Sequence, residues 1–388
     1  MLRVVVGTFT NASDEDVPAD FGSRDTLSRG LYWFGFDPGT GETGPVTLAA
    51  EVSNPANLIV GPRALYACRG GGSRLDGQSP ITAFAPDGDA LRELNSVGSG
   101  GLGPTVGVVS RSGRHLLTTN WITSSVVCFG LGPDGTIAAR TSLVGRAAGS
   151  ERPPGVGGAP GMPLSPALVT AGHTKPHDVL LAADQRYALA AEITGDRCQV
   201  LRFDAGALTH HGYAPAPPGS GPRHLALSRD RLYSSDEECA GLSVWAWDGR
   251  TGALEHRQQV STVPDGVSAA GEHPADVCLH PNGRFVYVTN RRVGTIAGFR
   301  ISPDTGLVTP AGQTPVGSES CWSLVFDASG RWAFATAIRA DEVLVYACDP
   351  STGALKPHRS VPVTLPTCVR LLPLSWPPTA RTARPGSR

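Results

Sequence analysis

"HPADVCLHPNGRFVYVTNRR", residues 273–292, sets two short apolar runs on either side of a Pro-Asn-Gly turn and ends the second on two arginines. Proline presets φ for a turn, and Asn-Gly tolerates the left-handed conformations that a tight reversal needs. Both runs are rich in Val, Leu, Phe and Tyr and bounded by turn residues, so they read as paired strands. A third run, "VGTIAGFRI" (293–301), follows the arginines.

The same plan recurs along the chain. Copies are "GPTVGVVSRSGRHLLTTNWITSSVVCFGL" (103–131), "KPHDVLLAADQRYALAAEITGDRCQVLRF" (175–203), "GPRHLALSRDRLYSSDEECAGLSVWAW" (221–247) and "CWSLVFDASGRWAFATAIRADEVLVYACD" (321–349). An earlier one is "NPANLIVGPRALYACRG" (54–70) with "ITAFAPDG" (81–88), and a truncated one is "PTCVRLLP" (366–373). The strands missing from the truncated copy can come from the N-terminus, "LRVVVGTFT" (2–10) and "GLYWFGFD" (30–37). Between many copies lies a Gly-containing turn and one more strand, as in "SPDTGLVTPAGQTPV". Seven repeats at a spacing of about 50 residues, each with four short strands, predict an all-β, seven-bladed β-propeller with antiparallel blades. Pairing the first strands with the last repeat closes the ring and removes its exposed edges. The near-continuous apolar strands fit sheets covered on both faces, and no long run has helical periodicity.

One propeller domain is expected over 1–373, with a Gly/Pro-rich excursion at 145–167 and a Pro/Arg-rich, disordered tail at 374–388. The bulk numbers are those of a globular chain: 40% apolar, 17% charged, net charge −1, with 48 Gly and 33 Pro. That balance favours neither nucleic acid nor membrane as a partner. No Cys-x-x-Cys pair occurs among the eight cysteines, so buried reduced thiols in a cytoplasmic protein are expected. The opening apolar run is too short for a secretory signal.

Strand parity places the polar residues. In an antiparallel blade, the start of the first strand and the end of the second lie on one face of the disc. Lys175, His177, Arg223 and His224 stand at first-strand starts. Arg69, Asn120, Trp121, Glu192, Asp236, Glu237, Asn290, Arg291 and Arg339 stand at or just beyond second-strand ends. The other face receives ordinary turns such as "PNGR" and "ASGR". Arginine forks beside a carboxylate and an imidazole suit a small anionic ligand, with one group free for proton transfer. The alternative is an ion-pair network that only ties loops together. Glu192 and Asp196 read as structural, and His115, His273 and His280 as turn or surface residues. No metal-ligand spacing, phosphate loop or Gly-x-Ser-x-Gly elbow is present, so neither metal nor cofactor is expected.

The motifs "VGTFT", "NPANL" (54–58), "PHDV" (176–179), "GPRHL" (221–225), "DEE" (236–238) and "HPADVCLHPNGRFVYVTNR" (273–291) resemble the propeller lactonases of the bacterial 6-phosphogluconolactonase type. That family also includes the carboxy-cis,cis-muconate cyclases. The resemblance implies a catalytic set of Glu237, His177, Arg223 and Arg291. Arg69, Asn120, Trp121, Lys175, His224, Asn290 and Arg339 are expected to contact substrate. It implies a metal-independent lactone hydrolase of carbohydrate metabolism acting on a small anionic lactone or its acid; a monomer is the default expectation. Two alternatives use the same face: lactonisation of a muconate-like dicarboxylate, and a non-catalytic disc that binds a partner. Lys175 stands where relatives often carry another histidine, and "NWITSS" replaces their usual Tyr and Gly.

Overall fold

The computed structural model describes residues 1–10, 27–70, 77–145 and 173–376. Within them the strands form seven four-stranded antiparallel sheets. Six blades are consecutive in sequence: blade I (55–98), II (104–145), III (176–215), IV (222–261), V (274–315) and VI (324–362). Blade VII is composite. Its innermost strand is the C-terminal Pro366–Pro373, which pairs with Leu2–Thr8, followed outward by Gly30–Phe36 and Thr47–Glu51. The closure therefore follows the sequence expectation, with a fourth strand at Thr47–Glu51 that the repeat did not reveal. The first strands contact one another in ring order around the axis.

Seven apolar clusters hold this ring, one at each interface between blades. Their origin is the period of the strand. In Phe285–Asn290 all six residues are buried. Phe285 and Tyr287 face the blade VI side chains, while Val286 and Val288 face blade IV. The outermost strands lose that double cover, and Ala253–Ser261 alternates between exposed and half-buried residues. Docking of the chain continues beyond the expected boundary at 373. Trp376 is buried and its indole N–H donates to the Gly61 carbonyl at 2.8 Å. The excursion from 146 to 167 and the tail from 377 lie outside the described residues.

One local device recurs on the face that matters. The residue before the first strand has positive φ in Asn54, Gly103, Lys175, Gly221 and Leu365, as does Ser320, four residues before the shorter first strand of blade VI. Its carbonyl accepts the N–H of the residue that follows the second strand, as in Ile193 to Lys175 (3.2 Å) and Glu237 to Gly221 (2.8 Å). The ladder then slips just after the leading proline, between Pro176 and Asp178, Pro222 and His224, and Pro274 and Val277. Proline cannot donate to the ladder, and the bulge re-aims the residue that follows it. In blades III and IV those re-aimed residues are His177 and Arg223.

Candidate active site

Glu237 lies at the centre of the cluster. Its Oε2 is 2.9 Å from Arg223 Nε, and its Oε1 is 2.8 Å from Arg291 Nη2. All three side chains are at most 8% exposed. The 2.9 Å approach of Arg223 is a charge contact rather than an aligned hydrogen bond. Burial alone would raise the Glu237 pKa, but the guanidiniums of Arg291 and Arg223 outweigh it and hold the carboxyl at about 2. The carboxylate is thus ionised at any physiological pH and committed to two cations.

Each arginine is itself aimed by backbone. Arg223 Nη1 donates to the Ala275 carbonyl at 3.0 Å, and Arg291 Nε donates to the His273 carbonyl at 2.6 Å. His273 in turn has Nδ1 3.2 Å from the Glu237 carbonyl oxygen. Glu272 accepts the N–H groups of Arg292 and Val293, fixing the turn that carries Arg291. Arg223 Nη2 and Arg291 Nη1 have no hydrogen bond among the described residues, so each fork keeps one nitrogen for a ligand.

His177 stands beside this group. Its ring centroid is 5.1 Å from that of His224, and its Nδ1 is buried without a partner. Burial first, then the charges on Arg223, His224 and Arg291, push its pKa well below the usual imidazole value, so the ring is neutral. His224 has both nitrogens engaged: Nδ1 with Asp276 Oδ1 at 2.9 Å and Nε2 with Arg223 Nη1 at 3.0 Å. An ionised carboxylate only accepts and a guanidinium only donates, so the proton sits on Nδ1. Burial and Arg223 lower the His224 pKa to about 4 against the opposing pull of Asp276, whose own carboxyl is lowered by that bond despite its burial.

The face assignment from parity holds, for Pro176, Pro222 and Pro274 pair with Glu192, Asp236 and Asn290. Not every residue on that face joins the cluster. Asn120 and Asn290 are fully buried, and their amides are spent. Asn120 bonds Ser99 and Ser125, and Asn290 bonds Thr262 and Thr295. Both tie loops and present nothing to a substrate. His224 likewise holds Arg223 rather than facing outward. Arg69 donates to the Ser53 carbonyl, and Arg339 pairs with Glu319 at 2.9 Å. Lys175 Nζ lies 5.9 Å from the Trp121 ring centroid, beside the charges of Glu237 and Glu238.

Glu192 is structural as expected, paired with Arg197 at 2.5 Å in a cavity of about 150 Å3 between blades II and III. Asp196 accepts the N–H groups of Gly219 and Gly221, and so shapes the approach to Arg223. His273 and His280 are buried rather than at the surface, each bonding a carbonyl of another segment, and His280 opens the turn whose Gly283 N–H donates to its carbonyl. Among the described residues no three His, Cys, Asp or Glu side chains are grouped to hold a metal ion. The eight cysteines are unpaired.

A family model described as "Lactonase, 7-bladed beta-propeller" matches residues 3–371. The chain belongs to the lactonase family of seven-bladed β-propellers. A 6-phosphogluconolactonase of Bacillus subtilis is 27% identical over 308 residues, 77% of this chain and 82% of the relative. A periplasmic gluconolactonase of Pseudomonas aeruginosa superposes with a TM-score of 0.79 at 24% identity, covering 96% of this chain and 99% of that one. A Lactobacillus plantarum protein superposes with a TM-score of 0.79 at 22% identity, over 96% and 100% of the two chains. The lactonase described here is a lactone hydrolase, and no helix among its described residues is long and apolar enough to cross a membrane.

Proposed function

We propose that this lactonase opens an anionic aldonolactone, 6-phosphogluconolactone being the best fit, to its acid without a metal. The supporting observation is the Glu237 carboxylate clamped between Arg223 and Arg291 beside a neutral His177. The cluster carries two positive charges and one negative, and its two uncommitted guanidinium nitrogens can take an oxyanion in a forked contact. The similarity to 6-phosphogluconolactonases supports the sugar.

In this mechanism Glu237 is a poor base, because both oxygens face cations. His177 takes a proton from water as the oxygen attacks the lactone carbonyl. The arginines stabilise the oxyanion that develops there. The ring C–O bond then breaks, and the leaving alkoxide recovers the proton from His177, so that lactone and water become the hydroxy acid. Guanidinium charge does the work that a metal would otherwise do. The complete cluster comes from one chain, so we assign the activity to a monomer. The unpaired cysteines favour a reducing compartment, which we take to be the cytoplasm.

The test is acid release from 6-phosphogluconolactone, gluconolactone and a muconolactone, with spontaneous opening subtracted and a chelator present or absent. Arg291→Ala should lower kcat/KM for the phosphorylated lactone by about 100-fold or more, and the chelator should change nothing. Loss of activity on chelation, or equal turnover by Arg291→Ala, overturns the proposal.

A further inference from the structure

In three successive blades the innermost strand opens on proline, and the second residue after it is Asp178 in blade III, His224 in blade IV and Asp276 in blade V. The two aspartates share one task. The Leu225 N–H donates to Asp178 Oδ2 at 2.8 Å and the Leu324 N–H donates to Asp276 Oδ2 at 2.9 Å, so each carboxylate ties its blade to the next. Asp276 has a second task. Its Oδ1 accepts the His224 Nδ1–H at 2.9 Å, across the seam to the preceding blade. Asp178 meets no such donor, because blade II carries Val106 at that strand position.

The second contact reaches Arg223. The two N–H bonds of its Nη1 are both committed, one to the Ala275 carbonyl and one to His224 Nε2, each at 3.0 Å. With Nε against Glu237 Oε2, they set the plane of the guanidinium and leave Nη2 as its free nitrogen. This hold needs a lone pair on His224 Nε2. With the proton on Nε2 instead, one N–H would point at another.

We propose that Asp276 is a positioning residue for lactone opening: by keeping the His224 proton on Nδ1, it preserves Nε2 as the acceptor that fixes the Arg223 fork. The inference rests on the lactonase reading and deepens it, since Asp276 itself touches neither Arg223 through a hydrogen bond nor the reacting atoms.

A double-variant cycle on lactone hydrolysis is the test. Asp276→Ala should lower kcat/KM by about 10- to 100-fold, the order of loss that follows removal of the carboxylate orienting a functional histidine. His224→Gln places an amide oxygen near Nε2, an acceptor that needs no tautomer to be set. In that background Asp276→Ala should cost less than about twofold, whereas a purely structural loss would appear in both, because the tie to Leu324 is broken in both. Nitrogen-15 NMR of the intact protein at neutral pH reads the tautomer directly, with the His224 signals assigned by their absence from His224→Gln. A protonated Nδ1 beside a bare Nε2 is expected. A proton on Nε2, an unchanged kcat/KM for Asp276→Ala, or an equal loss in both backgrounds overturns the positioning role and leaves the lactonase standing. Failure of the intact protein to open any lactone overturns the functional reading, and the positioning role with it.

Discussion

Glu237→Gln removes one negative charge from between two arginines and keeps the shape. The carboxyl falls from an ordinary 4.5 to about 2 in the folded protein. At about 1.4 kcal/mol per pKa unit, its ionised form stabilises the fold by on the order of 3 kcal/mol. Opening a buried ion pair from one side costs about 3–5 kcal/mol, a comparable figure. The sign follows from a depressed carboxylate. Its stabilisation is fully present above the unfolded pKa and is lost as pH falls through the folded one. The gap between intact protein and variant should therefore be constant from about pH 8 to pH 5 and close below about 4.5. With an unfolding entropy near 2.1 cal/mol/K per residue, 3 kcal/mol corresponds to a Tm lower by about 4 °C at pH 7. Thermal melts across that pH range measure it. Phosphate in the buffer should restore more Tm to the variant, whose cluster carries one more positive charge. A variant within 1 °C of the intact protein at pH 7, or a gap that widens in acid, refutes the assignment of Glu237 as counter-ion to the arginines.

His177→Asn should lower the rate of lactone opening by about 10²–10⁴ after subtraction of spontaneous hydrolysis. Its Tm should barely move, since the buried Nδ1 makes no hydrogen bond to lose. Equal rates would remove His177 as the proton acceptor. His224→Gln should flatten the pH dependence of stability. With a folded pKa of about 4, His224 stays neutral where the unfolded chain already takes up its proton, so the intact protein loses stability as pH falls from about 6.5 towards 4. Unfolding free energies from denaturant melts should fall by up to about 1.4 kcal/mol per pH unit less in the variant than in the intact protein.

The architecture was legible because each repeat states its own turns, and because an alternating antiparallel path leaves no choice of face. Hence His177, Arg223, Glu237 and Arg291 could be set together before any coordinates. Side-chain commitment was not legible. Asn120 and Asn290 sit at the same strand position as a ligand-binding residue would, but a partner on the next loop consumes each amide. His273 looked like a turn residue because its bond to Glu237 crosses between blades.

Closing the ring with the C-terminal strand sets an order of events during synthesis. Pro366–Pro373 is the innermost strand of its blade, yet it leaves the ribosome after every other strand of the ring. It brings Arg370 to the axis, where the guanidinium bonds the Leu58 carbonyl and Ser323 of the two neighbouring blades. A nascent chain with six finished blades still has an open seam between blades VI and I. A chain cut before Pro366 encodes a disc that cannot shut.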